Sequence, residues 1–340
     1  MKIIDITERS QWDDFITSHE EANFLQSWDF YEFHKARGKT VVRRAIVEDE
    51  DNSIIAAYAG VVETAKRGKY MAIAGGPILD WDNKEVVNEI FADIRRAGQK
   101  TGCVFVRVRP QLPLSDKSIQ LMRTLGLKKA PMYLSVEYAG ILDLTKTKEE
   151  ILAEASQGFR RKLRKAEKAD IEVSANAKKR SIEEFCKLEK KHAERQKYVA
   201  FSDSFLTKQF EAFAKNDEVL IYTAKKDGEI LAQNFIIFYG AEASYHYGVS
   251  SQLGTKYSAA PLLHMEAMDE ARKRGCTRYN LWGIVEPCEK THRFYGVSEF
   301  KRSFGCEELR YTPAHDMILS PIKYQITKIV ETARKKIRHV

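Results

Sequence analysis

The chain has 340 residues, 44% of them hydrophobic and 31% charged, with a net charge of +8. That length holds two ordinary domains, and the composition is that of a globular protein with apolar side chains enough for two cores. No run of ~18 apolar residues could form a bilayer-spanning helix, and the opening MKIIDITERSQWDDF is too charged for a signal peptide. The five cysteines (Cys103, Cys186, Cys276, Cys288, Cys306) are scattered and lack CxxC spacing, which argues against a disulfide framework or a zinc site. A cytoplasmic protein is expected.

A short amphipathic helix is predicted around Trp12, Phe15 and Ile16, then a second in QSWDFYEFHKARG (26–38). Two apolar runs flank Asp51-Asn52 as a hairpin across 41–62. KYMAIAGGPILDW (69–81) reads as a strand ending at Gly75-Gly76-Pro77, where paired glycines suit a close backbone approach or a bulge. Ile90, Phe91, Ile94 and Ala97 share a helical face. Gly98 and Gly102 fit helix stops, and Cys103 leads into a strand ending at Pro110. A further strand pair ends with YLSVEYAGILDL (133–144).

Thr147 and Glu150 form a capping box that opens a helix carrying Phe159 and Leu163 inward. Ser181 and Glu184 form a second box before Phe185, Leu188 and His192. SFLTKQFEAFAKN (204–216) then precedes a hairpin turning at Asp227-Gly228, and SYHYGVSS (244–251) follows. Pro261 suits the first turn of a helix on which Met265, Met268, Ala271 and Arg272 recur. Gly275 stops it, Cys276 follows, and YNLWGI (279–284) reads as a strand. Ser320-Pro321 starts a terminal helix with Ile322, Ile326, Ile329, Ala333 and Ile337 on one stripe. This stripe is expected to cover the first unit, leaving Lys335, Lys336 and Arg338 exposed.

The order helix, strand, polar turn, strand, helix, glycine, cysteine, strand therefore occurs twice, and two copies of one α/β unit would create a cleft between them for ligands. The predicted fold is α/β (α+β), with one domain formed by 1–143 plus 310–340 and a second by 144–309. The positive charge is uneven. GFRRKLRKAEK (158–168) and TARKKIRHV (332–340) are either solvated helix faces or contacts for the phosphates of nucleic acid, nucleotide or anionic lipid. No G-x-S-x-G elbow, P-loop, HExxH or dinucleotide fingerprint occurs. His292 beside Glu289 is a weak candidate base, since a lone surface histidine usually has no such role.

Duplicated units of this order resemble the acetyltransferase core known as the GNAT fold. Its coenzyme A loop would correspond to SSQLGTKYSAAPLL, which holds one glycine instead of a glycine-rich run. EFKRSFG (299–305), NLWGI (280–284), GTKYSAAPLL (254–263), QSWDFYEF, GGPILD and FRRKLRKAEK together, in order over nearly the whole chain, resemble the FemABX family. The resemblance implies two tandem GNAT-like domains, with the acceptor in a cleft between them. The activity implied is transfer of an amino acid from aminoacyl-tRNA to the side-chain amine of a peptidoglycan precursor's stem peptide. Many members carry a helical arm in the second domain. His192 and Phe205 lie too close together for a long coiled-coil hairpin, so this chain resembles the short armless type.

Residue by residue, Phe300 and Lys301 match the family's Phe-Lys pair, the lysine stabilising charge beside the tRNA acceptor end. A fixed ammonium suits an oxyanion built during ester aminolysis, although Lys301 could also be a solvated lysine. Tyr257 matches a tyrosine of the acceptor cleft, or is a half-buried core residue. Lys35 is the nearest match to an acceptor-phosphate lysine, with His34 the neighbouring alternative. Arg160, Arg161, Arg164 and Lys165 are expected to contact tRNA, and Phe300 to stack a base of the CCA end. Two departures stand out. Phe201 occupies the place of a pyrophosphate-binding arginine, and Arg109 that of an acidic residue. The expected co-substrate is aminoacyl-tRNA, with no cofactor and no metal, and the acceptor is a lipid-linked or UDP-linked muropeptide. Further expectations are a monomer and peripheral contact with the inner membrane face. Two alternatives remain: an acyl-coenzyme A N-acyltransferase, decided by how open the loop 253–259 is, and a non-catalytic binder of nucleic acid or anionic surfaces.

Overall fold

Alternating apolar runs joined by tight polar turns pair as antiparallel ladders, and each ladder then gains a parallel strand through a helix. In the computed structural model, which describes residues 1–65 and 68–338 and the side chains of 1–65 and 68–333, this happens twice. The chain divides into one unit of Met1–Glu137 with Arg310–Val340 and another of Tyr138–Leu309.

The first unit opens with β1 (Lys2–Asp5), α1 (Arg9–Thr17) and α2 (Trp28–Ala36), with Trp12 and Ile16 buried. β2 (Thr40–Val47), β3 (Ile54–Ala65) and β4 (Gly68–Gly75) form an antiparallel meander, and the short β5 (Ile78–Leu79) pairs back on β3. Gly75 has a φ of +78°, and a Cβ there would collide with the Gln26 amide, so the predicted close approach is real. α3 (Lys84–Lys100) carries Ile90, Phe91 and Ile94 onto the sheet and leads to β6 (Phe105–Pro110), which pairs parallel to β4. Gly102 ends α3, with a φ of +70°. Gly98 is no stop: it lies inside α3, where a Cβ would sit 2.6 Å from Val106, so it is a packing glycine. α4 (Asp116–Thr124) and β7 (Lys128–Lys129) complete this part.

The second unit begins with β8 (Tyr138–Asp143). The sequence placed this segment in the first domain, yet its backbone pairs with the second sheet, because an unsatisfied parallel strand edge there recruits it. The single helix predicted after Thr147 is two. α5 (Lys148–Glu154) carries the predicted capping box, and α6 (Gln157–Glu167) is capped afresh by the Ser156 hydroxyl, which accepts from the Phe159 amide. β9 (Glu172–Asn176) follows, then α7 (Lys179–Gln196). The Ser181–Glu184 box does not form. The helix starts earlier, Ser181 donates to Asn176, and Glu184 pairs with Arg180 and Lys225. Residues 197–202 connect α7 to α8 (Asp203–Ala214).

β10 (Val219–Lys226) and β11 (Glu229–Tyr239) form the hairpin predicted at Asp227-Gly228, whose φ values of 51° and 80° are those of a type I′ turn. β12 (Glu242–Ser250), α9 (Gln252–Tyr257), α10 (Ala259–Lys273) and β13 (Arg278–Gly283) repeat the crossover of the first unit. Pro261 lies in the first turn of α10, and Met265, Met268 and Ala271 are buried. α11 (Tyr295–Arg302) and β14 (Glu307–Arg310) end the unit, whose strand order is β14-β8-β13-β12-β11-β10-β9.

The chain then returns to the first sheet through β15 (His315–Ile318), antiparallel to β6, giving the order β1-β2-β3-β4-β6-β15-β7. α12 (Pro321–Arg338) follows and belongs to the first unit, but with the face opposite to the one predicted turned inward. Tyr324, Thr327 and Glu331 are buried, whereas Ile322, Ile326, Ile329 and Ala333 face solvent. A buried ion network decides this. Arg107 of β6 donates to both Asp316 oxygens at 2.7 and 2.8 Å and to Glu331 at 2.8 Å, and the Tyr324 hydroxyl donates to Asp316 at 2.7 Å. Ile337, Lys335, Lys336 and Arg338 lie outside the residues whose side chains are described.

Candidate active site

The two parallel strand pairs differ. β4 and β6 stay in register for the whole of Tyr70–Gly75 against Phe105–Pro110. β12 and β13 pair only at Glu242–Ser244 against Arg278–Asn280. Beyond that point β12 bulges, because Ile236 opposes Tyr245 while Phe235 opposes Tyr247, leaving His246 as the extra residue. β13 turns away at Trp282, whose φ of +66° is held by the Asn280 side chain accepting from its amide at 2.8 Å. Next to an active site such a bulge and such a φ re-aim side chains.

α11 supplies what enters the opening. Ser298 accepts from the Val285 amide at 3.0 Å, and Arg302 pairs with Glu308 at 2.7 Å, tying the helix to the end of β13 and to β14. Phe304 is fully buried and Gly305 turns the chain with a φ of +80° against the Glu154 backbone. On α11 itself Lys301 is 6% exposed, and its Nζ donates to the Gly283 carbonyl at 2.7 Å and lies 5.7 Å from the Tyr245 ring centre. Burial pulls its pKa down to about 7, opposed only by the Cys306 thiol. It is thus neither a solvated lysine nor a permanently charged one. His264 lies fully buried beneath it, its Nδ1 2.9 Å from the Tyr279 hydroxyl and its ring 5.7 Å from Phe300 and 4.4 Å from Tyr245. Burial first, and Lys301 second, lower the imidazole pKa to about 3, so the ring is neutral.

Phe300 is half-buried, 5.2 Å from Phe304, and packs with Tyr257 on the same core. Tyr257 ends α9 with the Lys226 and Lys256 ammonium groups 5.8 and 6.0 Å from its ring. Lys165 of α6 donates to the Lys256 carbonyl at 2.6 Å, so part of the predicted basic face adjoins Tyr257. Arg161 and Arg164 are exposed on α6, while Arg160 donates to the Leu152 and Ala153 carbonyls and caps α5. Gly283, Trp282, Tyr245 and His264 were missed by sequence reasoning. A bulge and a positive φ at tryptophan have no periodic signal.

The remaining candidates lie elsewhere. Lys35, in the first unit, is exposed, pairs with Glu32 at 2.9 Å and borders a cavity of about 520 Å³ with Arg43, Arg96 and Lys100. His34 is half-buried, with its ring against Phe30 and Phe33, and partial burial lowers its pKa to about 3, so its ring is neutral and suits packing better than phosphate binding. His292 accepts from the Phe294 amide at 3.1 Å and shapes a turn. Phe201 stacks on Phe205 at 4.8 Å. Arg109 is buried and donates to Ser135 at 2.6 Å. In the loop 253–259 the amides of Gly254, Thr255 and Ser258 donate to Ser251 Oγ, Ser251 O and Thr255 O. A Cβ on Gly254 would also collide with the Leu231 carbonyl, so this turn is packed down and offers no open cradle for a pyrophosphate. Among the described residues no group of three or more His, Cys, Asp and Glu side chains could hold a metal ion.

Two units of one α/β topology, only one of them with its parallel strands spread apart around a buried amine, define a tandem GNAT-like acyltransferase fold. A tandem GNAT protein from the clavulanic acid biosynthesis pathway superposes with a TM-score of 0.58 at 10% identity, covering 93% of this chain and 98% of its own. The crystal structure of FemX superposes at 0.86 with 19% identity, covering 97% and 100%. The aminoacyltransferase FemA of Staphylococcus epidermidis is 21% identical over 420 aligned positions, covering 98% of this chain and 99% of the relative. That alignment is longer than this chain, so FemA carries residues without counterparts here. FemA of Staphylococcus aureus is 24% identical over 194 residues, covering 51% of this chain and 46% of the relative. The family model described as the FemAB family matches residues 7–227 and 206–332. The chain belongs to the FemAB family.

Proposed function

We propose that this protein transfers an amino acid from aminoacyl-tRNA to the side-chain amine of a peptidoglycan precursor's stem peptide, with Lys301 as the catalytic residue. The observation that carries the assignment of the site is the buried Lys301 amine set in the opening between β12 and β13. The acceptor nitrogen attacks the ester carbonyl and its π pair moves to oxygen. Collapse of that intermediate breaks the ester C–O bond, and the electron pair leaves on the ribose oxygen. The Lys301 ammonium stabilises the oxyanion and gives its proton to the departing ribose oxygen; it recovers one from the acceptor nitrogen. A pKa about 7 makes it a better acid at neutral pH than an ordinary lysine. Holding an already activated ester beside the amine supplies much of the remaining rate.

The acceptor is a lipid-linked or nucleotide-linked muropeptide, with Tyr257 as its contact in the second unit. Aminoacyl-tRNA is the acyl donor, which places the reaction in the cytoplasm; among the described residues no helix is long and apolar enough to cross a membrane. The packed-down turn at Gly254 disfavours coenzyme A as donor. Incubation with mixed aminoacyl-tRNAs and a muropeptide should raise the acceptor mass by one amino-acid residue. Acetylation from acetyl-coenzyme A with no aminoacyl transfer would overturn this function. Arg161 and Arg164 contact tRNA phosphates. Replacing both with glutamate should raise KM for aminoacyl-tRNA roughly tenfold with kcat retained, and reduce the salt slope of binding by about two. An unchanged slope would remove α6 from the tRNA path.

A further inference from the structure

α12 has its apolar side outward. Ile322, Ile326 and Ile329 are 83%, 61% and 69% exposed, and Val330 and Ala333 extend the same stripe. The side packed on the protein is the polar one, Tyr324, Thr327 and Glu331. A helix serving only its own fold turns its apolar stripe inward, and a contiguous exposed stripe of this kind marks an interaction surface. Charge narrows the partner. Glu331 is the only acidic residue of Pro321–Arg338, and it is buried on Arg107, which leaves the outer face without a carboxylate. Lys323 and Lys328 are exposed beside the isoleucines, and the sequence of the helix continues with Arg334, Lys335, Lys336 and Arg338.

We infer that α12 lies in the interface of an anionic lipid bilayer, its isoleucines entering the acyl boundary and its lysines meeting lipid phosphates. Apolar side chains flanked by cations are the pattern of an in-plane interfacial helix, and basic residues near such a surface add to binding. A second copy of this chain would face the same unopposed positive charge, which disfavours self-association. This surface stands independently of the transfer reaction, because lipid binding needs neither tRNA nor muropeptide.

The test is co-sedimentation of the full chain with vesicles of phosphatidylglycerol and phosphatidylcholine, against vesicles of phosphatidylcholine alone. Binding should favour the anionic vesicles by on the order of tenfold or more and weaken with salt. Ile326→Asp with Ile329→Asp should lower the partition coefficient by on the order of a hundredfold, and Lys323→Glu with Lys328→Glu by about tenfold or more. Both pairs are exposed, so circular dichroism and transfer to a soluble muropeptide should stay as in the parent. No sedimentation with anionic vesicles, or equal sedimentation of the isoleucine variant, overturns the proposal. So does concentration-dependent dimerisation in analytical ultracentrifugation that the isoleucine variant abolishes, which would assign the stripe to a second copy.

Discussion

Lys301→Met is expected to lower kcat/KM for aminoacyl transfer by about 10²–10³-fold, the cost of losing one group aimed at a developing oxyanion. Stability should move the other way or not at all. The amine is buried with, among the described residues, only the Gly283 carbonyl as its hydrogen-bond acceptor, and a methionine of similar length fills the same space without carrying a charge out of water. The thermal midpoint of the variant should therefore match or exceed that of the parent. The pH profile separates a proton donor from a packing residue. Lys301 loses its proton above its pKa of about 7, so in the parent the kcat/KM should fall on the alkaline side with that apparent value. The methionine variant should lack that descending limb. A variant that keeps both the parent rate and the limb removes Lys301 from the mechanism.

Arg107→Met is expected to destabilise the first unit by about 3–5 kcal/mol, because it strands two buried carboxylates, Asp316 and Glu331. Chemical denaturation would measure the loss. The dependence on pH has a definite sign. Burial already raises the Asp316 pKa above its ordinary value, with Arg107 opposing that rise. A carboxyl whose folded pKa is raised loses stability as pH rises through that pKa. Without Arg107 the rise is larger, so the deficit should be smaller under mildly acidic conditions than at neutral or alkaline pH. Limited proteolysis should cut the segment around α12 first, since the network joins β6, β15 and that helix. A pH-independent loss under 1 kcal/mol would mean that the network is incidental.

Much of the fold was legible. The hairpin at Asp227-Gly228, the close approach at Gly75, the stops at Gly102 and Gly275 and the crossover helices are local events, decided by turn chemistry and apolar period. Local rules failed where a neighbour competed. Ser181 found Asn176 in place of a cap, Gly98 was needed for packing against Val106, and Ser156 restarted a helix that the pattern alone ran through. The site was half legible. The Phe300-Lys301 pair and Tyr257 were singled out by the family resemblance of their motifs, whereas Lys226 and Lys256 join Tyr257 only in three dimensions.

By itself the sequence determined that one α/β topology is used twice, that the second copy holds the lysine, and that the last helix carries an apolar stripe among cations. Periodicity states which side chains share a face. It does not state what covers that face, because coverage depends on partners far along the chain. Only the tertiary structure decided that β8 joins the second sheet, that β12 and β13 part where β4 and β6 do not, and that Arg107 turns α12 with its isoleucines outward. The same reason governs Lys301: its pKa is set by the loss of water around it, and that loss exists only once the second unit has closed over the amine.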